Sequence, residues 1–190
     1  MTGVQTCALP ICSVLGNLPD EPQPAQKMFE SLVWSALKSF DPAQPVFVEA
    51  ESKKIGNLRV PQTLIAAMWE SKCVRLDAPI DLRVAMLIDE YRHFVADAAA
   101  LGAQLDCLAS HYGQPQIAAW KTLAGTGAWD ALVRELLEMH YDPAYTRSTL
   151  KHYPQLAHSA ALVVAANEDA AFAQVATQCL ALVTRQFRAR

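Results

Sequence analysis

Charge is scarce in this chain. Asp, Glu, Lys and Arg make up 18% of its 190 residues and the net charge is −3. No overall field therefore draws it to nucleic acid, and any RNA contact has to come from a local patch. Long hydrophobic runs are missing too: the longest candidate, "SAALVVAA" at 159–166, falls well short of the roughly 18–20 residues that cross a bilayer. The stretch before Ser13 has no Lys or Arg and is interrupted by Pro10, which argues against a secretory leader. No GxxxxGK[ST] occurs anywhere, so a nucleotide's phosphates lack their main cradle. There is no internal repeat and no low-complexity tract.

Cysteine is sparse and scattered. Cys7 and Cys12 stand at the loose end of zinc-ligand spacing, but no His or second Cys pair lies nearby to complete four ligands, and no metal site is expected. The segment around them, "TGVQTCALPI", is similar, residue for residue, to the translation of a common sequencing adapter. Residues 1–12 are accordingly read as adapter-derived, with native sequence from about Ser13 and its upstream coding sequence absent. Cys73, Cys107 and Cys179 then remain, an odd set that suits buried thiols in a reducing cytoplasm better than a disulfide framework.

What is present is a globular balance, 52% apolar, enough for one domain with a core. "LGNLPDEPQPAQ" reads as a proline-rich extended loop. Phe29, Leu32, Val33, Leu37 and Phe40 keep helical spacing over 25–40. "VFVEAE" reads as a buried strand, Pro61 as the start of a helix through about Glu70, and "CVRLDAP" as a second strand. Asp81 is placed to cap a helix through about Asp97. Three helical stretches follow over about 98–141, then a turn-rich "DPAYTRSTLKHYP". "AALVVAA" reads as a third strand, and a last helix is capped by Asn167. Strands alternating with helices predict an α/β fold with a parallel sheet of about three strands, a helical insertion and a C-terminal helix.

The most informative stretch is "PVFVEAESKKIGNLRVP". A hydrophobic strand ending in acids puts carboxylates at the carboxyl edge of a sheet, where ligands of open α/β folds bind. Glu49 and Glu51 could hold Mg²⁺ or its water there, or merely solvate the strand end. Lys53, Lys54 and Arg59, around a turn shaped by Gly56-Asn57, could clamp phosphates or form an ordinary solvated surface. Arg83 and Arg147 could reach phosphate, or make surface ion pairs. His93, His111, His140, His152 and His158 show no metal-ligand spacing and no adjacent nucleophile. Trp34, Trp69, Trp120 and Trp129 fall in helical periodicity, which favours core over base stacking.

"GNLPDEPQPAQKMFES", "FDPAQPVFVEAESKKIGNLRVP", "CVRLDAP" and "LVRELLEMHYDPAYTRS", in this order, resemble the C-terminal part of bacterial tRNA 2-selenouridine synthases, and the likeness covers nearly everything from Ser13 on. It implies an incomplete P-loop NTPase-like sheet spanning 13–190, the helical insertion at about 98–141 included. By the same likeness the parent is a cytoplasmic transferase that converts 2-thiouridine at the tRNA wobble position to 2-selenouridine. Selenophosphate would be its selenium donor, and an S-geranylated intermediate would form from geranyl diphosphate. The resemblance puts Glu49 and Glu51 on the strand corresponding to Walker B, and Lys53, Lys54 and Arg59 in a phosphate- or RNA-facing loop. The family's rhodanese-like domain, its active cysteine and its P-loop strand all precede the point matching Ser13. No catalytic residue is therefore expected in this chain, which alone should be inactive, marginally stable and left with open apolar strand edges. A non-catalytic RNA- or phosphate-binding module and a helical adaptor over 98–141 are the alternatives. No membrane contact is expected; a monomeric parent is compatible with the sequence, which leaves oligomeric state and nucleotide or Mg²⁺ use open.

Overall fold

A computed structural model describes residues 23–50 and 53–188. The adapter-like opening with Cys7 and Cys12, most of the proline-rich loop, and Glu51 lie outside these. The chain divides into two compact units, one running to Ser71 and the other from Lys72.

The first unit holds α1 (Gln26–Ser39), a hairpin of β1 (Lys54–Ile55) and β2 (Leu58–Arg59), and α2 (Gln62–Glu70). Pro61 stands just ahead of α2, its carbonyl accepting from the Ile65 N–H at 3.0 Å. Ile65 and Met68 turn inward from α2, and Leu58 from β2. α1 packs on β2, yet of the apolar stripe on this helix Phe29 is buried while Leu32 and Leu37 are exposed. Over its described residues, 46–50, the strand expected at "VFVEAE" is not formed. Residues 46–50 have no regular structure, and Val46, Phe47 and Val48 are about half exposed. A parallel strand is held by ladders on its edges and by cover on its faces. Among the described residues, neither ladder includes this segment.

The second unit is mostly helical. β3 (Val74–Asp77) pairs in parallel with β4 (Ala160–Val163), Val74 opposite Ala160 and Asp77 opposite Val163. The expected parallel sheet is thus two strands wide among the described residues. Between its strands run α3 (Ile80–Glu90), α4 (Arg92–Ala96), α5 (Ala98–Asp106), α6 (Ala109–Gly125, broken at Gly113, where φ is 78° and ψ 161°), α7 (Trp129–Leu136), a π-helical turn at Leu137–Tyr141, α8 (Asp142–His152) and a 3₁₀ turn at Pro154–His158. α9 (Asp169–Arg188) closes the described chain. Trp120, Leu105, Leu108, Ile117 and Leu132, all at most 2% exposed, form the centre of the core.

Local chemistry accounts for where helices start and stop, and corrects four expectations. The helix expected from Asp81 to Asp97 begins after Pro79 and breaks at Tyr91. Asp81 sits in its first turn, not at the cap, and pairs with Arg134. Asp97 is itself a cap: its Oδ1 accepts from the N–H groups of Ala99 (3.1 Å) and Ala100 (3.0 Å) at the start of α5. "DPAYTRSTLKHYP" forms α8 instead of turns. Pro143 follows directly on the π-helical turn, and the Asp142 N–H bonds to the Leu137 carbonyl, so α8 continues the preceding helix and does not start at a free end. α9 starts at Asp169, past the expected Asn167 cap, with the Glu168 carbonyl accepting from Ala171 and Phe172. Among the described residues the three cysteines are free, but Cys107 is exposed and Cys73 and Cys179 are only half-buried; burial raises the pKa of the latter two thiols.

Candidate functional site

The cations of "SKKIGNLR" stand on the hairpin. Lys54 lies directly opposite Arg59, and Ile55 opposite Leu58. The Val60 N–H donates to the Lys53 carbonyl at 3.0 Å, so 53 and 60 form a hydrogen-bonded pair and 54 and 59, one step on, a non-hydrogen-bonded one, the closer kind. Strand alternation then puts the Lys54 and Arg59 side chains on one face, opposite to buried Leu58. Like charges directly opposite one another destabilise a ladder, so this hairpin needs outside support.

Two glutamines supply it. Gln23 Nε2 donates to the Ile55 carbonyl (2.9 Å), and its Oε1 accepts from the Asn57 N–H (2.8 Å). Gln26 Nε2 donates to the Arg59 carbonyl, and its Oε1 accepts from the Arg59 N–H, both at 2.8 Å. Each side-chain amide thus offers the hairpin a donor and an acceptor side by side, as an additional strand would. Gly56 makes the turn at φ +57°, and a Cβ there would stand 2.6 Å from the Gln23 amide. Lys53 is oriented separately, its ammonium 4.6 Å from the Trp69 ring centroid, a cation–π contact.

Of the other expected site residues, Glu49 lies in the exposed segment 46–50 and Glu51 outside the described residues. Arg83, in the second unit, forms a bidentate ion pair with Asp142, Nη1 to Oδ2 at 2.9 Å and Nη2 to Oδ1 at 2.5 Å. The hydrogen-bonded carboxylate raises its pKa further. Arg147 is exposed on α8. No group of three His, Cys, Asp or Glu side chains is arranged to hold a metal among the described residues. No GxxxxGK[ST], the usual cradle for a nucleotide's phosphates, occurs in the sequence.

A polar cluster that the sequence did not signal lies on the helical region. The Tyr112 hydroxyl donates to the Met139 carbonyl at 2.9 Å and stands 3.1 Å from His140 Nδ1. Burial, and secondarily His111, hold His140 below the ordinary histidine range. Nearby, the buried Trp120 indole N–H donates to Glu135 at 2.9 Å. Gln23, Gln26 and Asp142 also went unsignalled, because partners more than thirty residues apart leave no local pattern.

A mostly helical chain with a two-stranded parallel sheet and a cationic hairpin is a broad class, and the comparisons with known proteins narrow it. The tRNA 2-selenouridine synthase AAA domain matches residues 5–112, more than half the chain. The chain belongs to that family. Over 75 residues it is 35% identical to the tRNA 2-selenouridine synthase of Shewanella piezotolerans (strain WP3 / JCM 13877), a segment covering 38% of this chain and 20% of that protein. The chain therefore spans about a fifth of the relative it matches. No solved structure matches it. Among the described residues, no helix is long and apolar enough to cross a membrane.

Proposed function

We propose that this chain is part of a tRNA-modifying transferase that exchanges the sulfur of wobble 2-thiouridine for selenium from selenophosphate, with an S-geranylated intermediate drawn from geranyl diphosphate. Its work would be done in the cytoplasm, where tRNA is modified. In this reading β3 and β4 belong to a P-loop NTPase-like sheet, and Glu49 and Glu51 take the place of the Walker-B-like acid. The hairpin of Lys53, Lys54 and Arg59 faces tRNA phosphates, with Arg83 and Arg147 as further cations of the second unit. No turnover is expected from these 190 residues by themselves.

The observation that supports this best is that the family match over 5–112 contains the whole cationic hairpin. The test is tRNA binding by the 190-residue chain and by a Lys53→Glu/Lys54→Glu/Arg59→Glu variant, across a salt titration. The variant should bind more weakly and with a shallower salt dependence. Unchanged binding would favour a helical adaptor instead. Incubating the chain with 2-thiouridine tRNA and selenophosphate should yield no selenouridine; turnover would overturn the inactivity claim.

A further inference from the structure

Acids outnumber bases in this chain, 19 to 16, yet residues 143–167 contain no Asp or Glu. Within that stretch α8 stands exposed, with none of its residues buried. Arg147 and Lys151, both exposed, are four apart on it, so they share one face with Cβ atoms about 5–6 Å apart. Neither enters an ion pair among the described residues. The one acid of α8 is Asp142, and the fork of Arg83 takes up its carboxylate. Five residues separate Asp142 from Arg147, about 140° around a helix of 3.6 residues per turn, which puts the acid well away from the cationic face. A solvated helix face ordinarily interleaves both signs, as α3 does with Asp81, Arg83, Asp89 and Glu90. The face of Arg147 and Lys151 carries one sign. The helix is also fixed in direction although it is not buried. Pro143 has no N–H for the Met139 carbonyl four residues back, and the Tyr112 hydroxyl of α6 donates there at 2.9 Å. A held helix with cations on successive turns complements a run of phosphates.

We propose that α8 is an RNA-docking helix, on which Arg147 and Lys151 each meet a different phosphate, while Arg83 acts through Asp142 by neutralising it. This rests on the tRNA-binding reading above and extends it to the second unit. The measurement is binding of a synthetic RNA stem-loop to the full chain, as log K against log salt concentration, with melting curves to establish that each variant is folded. Arg147→Gln and Lys151→Gln should each lower the slope by about 0.7–0.9, and the double variant by about 1.4–1.8, because two phosphates are lost. Arg92→Gln, on α4 and already paired with Asp89, should leave the slope unchanged. Arg83→Met should weaken binding several-fold by freeing the Asp142 charge, and adding Asp142→Asn should restore it. A merely structural pair would show no such rescue, since the second change leaves the contact broken.

Native slopes in both Arg147→Gln and Lys151→Gln, together with weaker binding by the hairpin triple variant, overturn the docking helix and leave the hairpin reading standing. A double-variant loss no larger than that of one substitution places both cations on one phosphate and overturns the two-phosphate assignment. An equal effect of Arg92→Gln reduces the result to general charge and overturns the site. A loss that persists when Asp142→Asn is added to Arg83→Met makes Arg83 itself a phosphate contact and overturns its role through Asp142. No binding by the native chain even at low salt, or binding that neither the α8 nor the hairpin substitutions alter, sinks the tRNA-binding reading and the docking helix with it.

Discussion

Gly56 shows how much one missing side chain decides. Its φ of +57° is a region where an L side chain costs about 1–2 kcal/mol, and the Gln23 amide occupies the place a Cβ would take. Gly56→Ala should therefore lower stability by at least that amount and release the Asn57 N–H from Gln23. Chemical denaturation and faster hydrogen exchange at the Asn57 amide would report the two effects separately. At His140, the depressed pKa sets a sign. The unfolded chain takes up a proton near pH 6.5, whereas the folded chain does so only at lower pH. The unfolded state thus binds more protons in that window, so stability is full above about pH 6.5 and falls as pH drops from there toward the folded value. Melting curves on either side of pH 6.5 should show this, and His140→Gln should flatten the dependence.

At the level of elements, the Arg83–Asp142 pair ties the first turn of α3 to the first turn of α8. Both side chains remain a third or more exposed, so its coupling in a double-mutant cycle of Arg83→Met and Asp142→Asn should be modest, about 1 kcal/mol or less. A coupling of several kcal/mol would mean that the pair is shielded from water. The sequence announced α2, β3 and the helices over 98–141 because each has a local signal: a proline at the start, a β-branched run, or an apolar period broken by glycine. It misled at 46–50, since "VFVEA" has every intrinsic mark of a strand and strand formation depends on a partner that composition does not contain. It misled again at α8, where Tyr145, Thr146, Ser148 and Thr149 are indifferent helix formers and the helix is carried on from the π-helical turn before it. The cations of the candidate site were legible as a cluster. Their division into a Trp-stacked Lys53 and an opposed Lys54–Arg59 pair was not, because it depends on register and on two distant glutamines.

For the whole molecule, exposure of apolar side chains is the dominant feature. Leu76 and Val163, on neighbouring strands of the parallel ladder, are each 58% exposed, whereas parallel sheets are normally covered on both faces. Trp34 on α1 and Phe47 in the 46–50 segment are more than half exposed as well. Such surfaces favour association, and the chain should self-associate as its concentration rises. Leu76→Thr with Val163→Thr should reduce that association, read by sedimentation or light scattering, at little cost in melting temperature, because neither side chain is buried.

The β3–β4 ladder also fixes an order of events. Its two strands are separated by nearly all the helices of the second unit, and Val74 finds Ala160 only after the intervening chain exists. Helices form from near neighbours in about a microsecond, whereas a ladder between distant segments waits on closure of the loop between them. During synthesis β3 leaves the ribosome well before its partner, with the backbone N–H and C=O groups of that edge unpaired for the interval. The second unit therefore completes its sheet last, and that interval, more than the finished fold, is when a chaperone would be needed.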